Sequence, residues 1–386
     1  MPKKKKSGSL WTRTHDLPIR RLTSSGYITA TPSMYNISVK HLTCFDVISN
    51  EEYAIILIFC TATWSVFSLC GIISNFINIK TFVAMGLNDG ITVSFLALSI
   101  FDFAYLVFSF CLGISSAFRA VESLSSKRFD VEPYGVSVFV ANVLIMVAVT
   151  NVLTTTFLAV ARCMCVAKPL HFKNYFTVKR TVYFMSGFAI FAVTVYMPLL
   201  ANMGMLTRFD NKTKISRPSL WVSKYKEPIK NVLFVIIDTV LPVSSQIIVL
   251  MCILVMASSL RASAMFRQAS GIQRCDKNNA DIVSCSKDKK TDHINVTEKL
   301  CGKDLRVVQQ VVLISLVYVV CNTPRILISV AGLLEPEFRI GKRYNNLYLS
   351  LNAFRKHVEI FNATTNTFIY YKFNTKFRNT LFSKGT

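Results

Sequence analysis

Residues 91–115, ITVSFLALSIFDFAYLVFSFCLGIS, form an apolar run with a single carboxylate, Asp102, near its centre. A run of about 20 apolar residues is enough to cross about 30 Å of hydrocarbon as a helix. A lone acid within it is costly in lipid and must find partners inside a bundle. Outward from this stretch the chain holds six more runs of the same kind, at 54–79, 136–160, 181–205, 231–257, 308–333 and 346–371. The sequence therefore reads as an all-α membrane protein, a seven-transmembrane helix bundle.

Composition agrees. Of 386 residues, 52% are apolar and 17% charged, against about 25% charged in a globular domain. The helices leave short connections and one longer loop at 258–306, so there is one folded domain. The expected organisation is a disordered extracellular N-terminus over 1–52, the membrane domain over 53–372, and a short C-terminal amphipathic helix with a brief cytoplasmic tail over 373–386. Basic residues near helix ends set the orientation. Lys168, Lys173, Lys179 and Arg180 lie in one loop and Lys372, Lys376, Arg378 and Lys384 in the tail, which makes both cytoplasmic. The N-terminus is then outside; its Lys3–Lys6 run is too far from the first span to count, and Asp46, Glu51 and Glu52 outweigh Lys40 nearby. The protein is expected in the plasma membrane, in contact with lipid.

A net charge of +23 invites a nucleic-acid reading, but seven spans cannot carry that surface to chromatin, so no nucleic-acid partner is expected. No His-Glu-x-x-His, Gly-x-Ser-x-Gly or phosphate-cradling glycine loop occurs, which argues against an enzyme. Sequons at Asn36 and Asn211 fall on the outer side and are expected glycosylation sites, whereas Asn295, in the inner loop, should stay bare. Of the eleven cysteines only Cys44 is clearly outside, so no outer disulfide is expected unless Cys44 takes an odd partner such as Cys111 at a helix end.

The intramembrane polar residues fall at one depth: Asn75, Asp102, Asn151, Asn322, and Asn362 with Asn366. The carboxamides offer donors to an ionised Asp102, or oxygen ligands to a hydrated cation such as sodium; a shared network around Asp102 is the expectation. Alternatively each Asn bonds only a neighbouring helix. Arg162 follows Asn151 by eleven residues, three turns plus about 20°, so the two share a face about 16 Å apart. Asp304 begins helix 6 at the same inner level, and an Arg162–Asp304 pair would tie helices 3 and 6 until a switch breaks it and admits a cytosolic partner. The plainer reading makes both solvated surface charges.

Together these residues resemble the marker motifs of rhodopsin-like G-protein-coupled receptors. Over residues 53–380 the resemblance rests on Asn75 in Gly71-Ile-Ile-Ser-Asn75, Asp102 in Leu98-Ser-Ile-Phe-Asp102, Arg162 in Ala161-Arg162-Cys163, Pro242, Cys321-Asn322-Thr323-Pro324 and Asn366-Thr367-Phe368-Ile369-Tyr370. Phe377 fits that family's short eighth helix. The phrases around Ala161–Leu170 and Tyr370–Arg378 resemble, more narrowly, the molluscan chemosensory receptors. The resemblance implies a heterotrimeric G protein coupled through Arg162 and Asp304, and a polar switch network that includes Tyr370. Five positions depart from the pattern, one being the helix 4 tryptophan, near whose place Phe188 stands. Ala161 replaces the acid before Arg162, which implies raised basal activity; Asn322 replaces the helix 6 tryptophan; Thr367 replaces the helix 7 proline and removes a kink; and Ser137 replaces the disulfide cysteine.

The outer half carries charges: Asp238 one turn before Pro242, Arg325 after Pro324, and Arg355, Lys356, His357 and Glu359 in helix 7. Arg355 and Glu359 share the face of Asn362 and Asn366, and Lys356 is turned about 60° from Glu359. Charges of both signs in one cavity suit a zwitterionic or multiply polar ligand, an amino acid or a peptide terminus, bound by Asp238, Arg325, Arg355, Lys356 and Glu359. Equally, Asp238–Arg325 and Arg355–Glu359 are internal ion pairs that fix packing. Leu144 stands where the family's amine receptors place an acid, and Ile360 where opsins place their retinal lysine, which disfavours both. The expected function is a receptor for an extracellular chemosensory cue, amino-acid-like or peptide. The alternatives are a neuropeptide receptor of the same fold, or a channel or transporter with an ion path through Asp102, against which the lack of internal repeats weighs. No cofactor is expected beyond a sodium ion at Asp102.

Overall fold

The computed structural model describes residues 47–125, 128–167, 176–210, 215–258 and 302–383. Its elements are α1 (Asn50–Met85), α2 (Gly90–Leu124), α3 (Pro133–Ala167), α4 (Val178–Ala201), β1 (Met203–Asp210), β2 (Ile215–Val222), α5 (Lys226–Ser258), α6 (Gly302–Leu334), α7 (Asn345–Phe373) and α8 (Thr375–Ser383). Asn36, Cys44, Asn211 and Asn295 lie outside the described residues, as does most of the basic loop after α3.

Helix starts follow from their caps. Ser49 and Glu52 form a reciprocal capping box on α1, the Ser49 hydroxyl accepting from the Glu52 amide at 3.2 Å and the Glu52 carboxylate from the Ser49 amide at 2.8 Å. Asp89 accepts from the Thr92 amide at 2.6 Å and starts α2. Helices α1 to α6 are each long and apolar enough to cross a membrane, and the chain is a helical, multi-pass membrane protein. α7 is as long, but Arg355, Lys356 and Glu359 sit in its middle turns, so composition alone does not mark it as a span. The outward faces fit lipid: Phe59, Tyr183, Ile190 and Leu254 are each more than 60% exposed, on α1, α4 and α5. A surface so apolar is untenable in water.

Neighbouring helices pack in sequence order through α1, α2, α3 and α4, and α7 closes the set against α1 and α6. The starts of α1 and α7 meet where the Asn346 amide donates to the Ile48 carbonyl at 3.1 Å. At the opposite end α8 folds back on α1 and α7 and buries Phe377 completely.

Two features differ from the sequence expectation. Helix α4 ends at Ala201, not at 205, because Met203-Gly-Met-Leu206 belongs to a strand whose apolar residues extend the helical run without being part of it. The hairpin β1–β2 pairs Met203 with Val222 and Asp210 with Ile215. An isolated two-stranded hairpin is marginal, and this one is anchored on α2 and α3. The Arg217 guanidinium pairs with Glu122 at the end of α2. The Glu132 carboxylate accepts from the Leu220 amide at 2.8 Å, and the Glu132 amide donates to the Pro218 carbonyl at 3.0 Å. With Ser137 at the position of the usual cysteine, charge and backbone bonds hold the hairpin; no disulfide forms among the described residues.

Close approach of α1, α2 and α7 depends on Gly71. A Cβ there would meet Thr364 Oγ1 at 2.5 Å and Leu106 Cδ1 at 2.8 Å, whereas a Cβ at Gly187 meets nothing within 4 Å. Gly71→Val is therefore expected to cost about 1–3 kcal/mol by overpacking and to lower the melting temperature of the detergent-purified protein, with Gly187→Ala neutral. Equal melting temperatures for both variants would contradict this packing.

Candidate functional site

Asp102 is 1% exposed, in the middle of α2. Its Oδ1 accepts from Asn151 Nδ2 of α3 at 3.1 Å and its Oδ2 from Asn366 Nδ2 of α7 at 2.8 Å. Two carboxamides from two helices thus satisfy one buried carboxylate, as its burial demands.

The single shared network expected from sequence is instead divided into three. Asn75 stands apart from Asp102: its Nδ2 donates to the Ala363 carbonyl of α7 at 2.9 Å and back to Gly71 at 3.1 Å. Asn78, one turn on, donates to Asn75 Oδ1 at 3.3 Å and to Thr367 Oγ1 at 2.8 Å, so the residue that replaces the helix 7 proline makes a cross-helix bond within an unbroken α7. Asn322 lies in a third group between α5 and α6, donating to Gln246 Oε1 at 3.2 Å and to the Tyr318 hydroxyl at 3.4 Å. Asn362 lines the cavity described below. Tyr370 belongs to no carboxamide group. Its ring packs among Phe82, Phe95 and Phe377, with centroids at 5.0, 5.3 and 5.8 Å, because a completely buried aromatic ring near α8 gains most from other rings.

Arg162, 4% exposed, caps this aromatic cluster with its guanidinium 5.8 Å from the Phe95 centroid. It is buried rather than a solvated surface charge. Asp304 lies in the first turn of α6, and its side chain, with the suggested tie to Arg162, is outside the described residues.

The two internal prolines shape α5 and α6. Pro242 has no amide to give Asp238 and its ring crowds that carbonyl; immediately before it, Phe234–Val240 widens into a π segment that carries Asp238. In α6, Pro324 loosens the preceding turn, and Gln246 Nε2 of α5 donates to the Val319 carbonyl there at 3.1 Å and to Thr323 Oγ1 at 3.2 Å. Ser245 and the Tyr318 hydroxyl meet at 2.9 Å beside it. Gln246 was not among the sequence candidates, although it is a lone carboxamide in an apolar run like the others.

Arg325, Arg355, Lys356 and Glu359 line two contiguous cavities of about 50 and 10 Å³ that share Tyr105, Ala148, Arg325 and Glu359. The larger reaches down to Asn151, Asn322 and Asn362. Both acids are already paired: Arg325 Nη2 lies 2.6 Å from Asp238 Oδ1, and Arg355 Nη1 lies 3.2 Å from Glu359 Oε1. Tyr105, one turn from Asp102, also donates its hydroxyl to Glu359 Oε2 at 2.7 Å, a contact the sequence reading missed. The ion pairs and the cavity are therefore one feature. His357 points elsewhere, toward α1. Its Nδ1 lies 2.9 Å from Trp64 Nε1 and 3.1 Å from the Ala353 carbonyl, and its Nε2 lies 2.5 Å from Thr63 Oγ1.

No protein-family model matches this chain, and no curated protein matches it.

If Arg325 and Asp238 are a packing pair, removing one partner strands the other. Arg325→Met is expected to destabilise the protein by about 3–5 kcal/mol, and adding Asp238→Leu to recover most of that loss in a thermal-unfolding measurement. A double variant no better than Arg325→Met would remove the pair from the account of α5–α6 packing.

Proposed function

We propose that this protein is a seven-span, rhodopsin-like G-protein-coupled receptor, with α7 as the seventh span and α8 along the cytoplasmic face. The N-terminus is then extracellular, the protein sits in the plasma membrane, and its ligand is an extracellular chemosensory cue or a small polar molecule. The observation that carries the reading is the placement of Asp102 on α2, bonded to both α3 and α7 beneath a charged cavity, where its α3 partner Asn151 lies on the same helix as buried Arg162.

The geometry supports a mechanism. Asn151 is at once a wall of the cavity and a donor to Asp102, so an occupant that displaces its carboxamide changes what α2 and α7 can bond. Asn322, in the place of the family's tryptophan, also lines the cavity and bonds Gln246 across to α5. Ligand contact at Asn322 would loosen that latch beside Pro324, where α6 is already weakened. Outward movement of α6 then frees the inner end of α3 and offers Arg162 to a G protein. A ligand favours that state only to the extent that it binds it more tightly.

In cells carrying calcium and cyclic-AMP reporters, Arg162→Ala is expected to abolish signalling with surface expression retained. Asp304→Ala and Gln246→Leu are each expected to raise basal signalling, because each removes a restraint on α6. Signalling by Arg162→Ala at the level of the unmodified protein would sink the receptor reading.

A further inference from the structure

The outer cavity does not balance its charges. Three cations line it, Arg325 from α6 and Arg355 and Lys356 from α7, while Asp238 and Glu359 are the two carboxylates beside them. Asp238 is taken by Arg325, and Glu359 by Arg355 and the Tyr105 hydroxyl. Among the described residues no ion pair or hydrogen bond reaches Lys356. Two further donors are idle: Arg325 Nε and Arg355 Nε are buried without a hydrogen-bond acceptor, and Arg325 as a whole is 3% exposed. Buried guanidinium nitrogens and an ammonium are costly to leave unmet, and all three belong to side chains around one space. The wall that α3 presents to them is apolar, formed by Leu144, Ile145 and Ala148.

We propose that this cavity binds a small carboxylic acid with an apolar body. Lys356 Nζ holds the carboxylate, the idle guanidinium nitrogens of Arg325 and Arg355 add to the positive field around it, and Leu144, Ile145 and Ala148 meet the hydrocarbon part. Glu359 Oε1 is also buried without a hydrogen bond, but with three cations around the space against two acids the excess charge favours an anion over a zwitterion. The inference takes its meaning from the receptor reading, which makes this space a ligand site, but binding itself can be measured without signalling.

The test is thermal unfolding of the full-length protein in lipid nanodiscs with hexanoate and benzoate, with hexanamide and benzamide, and with hexylamine and benzylamine. At saturation the acids are expected to raise the melting temperature by on the order of 3 °C, and the amides and amines not to. Lys356→Met should remove the shift, and Lys356→Arg should restore it. The melting temperature of Lys356→Met without ligand should be equal or higher, because the substitution removes an unmatched cation. The inference is overturned if neither acid shifts the transition, if an amine matches its acid, or if Lys356→Met keeps the response. The selectivity of the unmodified protein decides the matter even where a variant does not express. Acid stabilisation with silent calcium and cyclic-AMP reporters would overturn the receptor reading and leave the acid site standing; a reporter response to the acid supports both.

Discussion

A carboxylate at the centre of an apolar helix governs this structure. Water is not at hand to solvate Asp102, so its two oxygens must be met by the protein, and they are met from two different helices. That requirement brings the Asp102 face of α2 against α3 and α7 and sets which faces of those helices turn inward. It also sets the rotation of α1, whose Gly71 must approach α2 and α7 without a side chain and whose Asn75 reaches the backbone of α7 at Ala363. The lipid-facing residues follow as the remainder. Packing between helices in lipid gains little from apolar contact, so small residues and polar bonds do much of the work.

Helices α5 and α6 share an apolar core of Val249, Cys252 and Met256 with Val311, Ile314 and Tyr318, and differ from the other helices in what lies beside it. Their contact holds two prolines, a π segment and a small set of side-chain bonds centred on Gln246. Proline leaves a carbonyl without its usual donor, and in lipid such a group must find another one. Gln246 bonds the Val319 carbonyl, next to the Val320 carbonyl that Pro324 leaves without its amide, so the polar contacts around the α6 proline depend on where α5 stands. The α1–α2–α3–α7 contacts, with their backbone acceptors and buried carboxylate, join helices that hold no internal proline.

Much of this was legible in the sequence because lipid makes the rule simple: a polar residue inside an apolar run must point inward. That rule found Asp102, Asn151 and Asn366, and it would have found Gln246 and Asn78 had it been applied to every carboxamide. What it could not give is partnership. Five carboxamides at one depth suggested one network, yet a carboxylate has few acceptor positions and adjacent backbone carbonyls compete for the same donors, so Asn75 and Asn322 went elsewhere. Tyr105 lies one turn beyond Asp102 on the same face, and its hydroxyl could have been anticipated from that spacing alone. The hairpin was illegible for another reason. Met203 and Leu206 look like the end of α4, because a short apolar run reads the same in a strand as in a helix, and the groups that anchor it, Glu122 and Glu132, are remote in sequence.

The charges that hide α7 from a simple search for spans are the ones that give the outer cavity its character. Three charged residues in the middle of a helix would be a heavy burden for a segment facing lipid, and their cost falls when they face each other across a cavity. Pairing Arg355 with Glu359 and Arg325 with Asp238 leaves Lys356 over, so a positive charge is kept in a space that is otherwise neutralised. An excess of that kind does not improve packing, since an apolar side chain would fill the position at less cost. It does favour an anion entering the cavity. From that space to Asp102 the path is short: the cavity floor includes Asn151, and Asn151 bonds the carboxylate. In the proposed receptor, the residues that sense an occupant and the residues that fix α2, α3 and α7 are therefore in direct contact. Coupling between them needs no long chain of intermediates, only an occupant that prefers one position of the Asn151 carboxamide over the other.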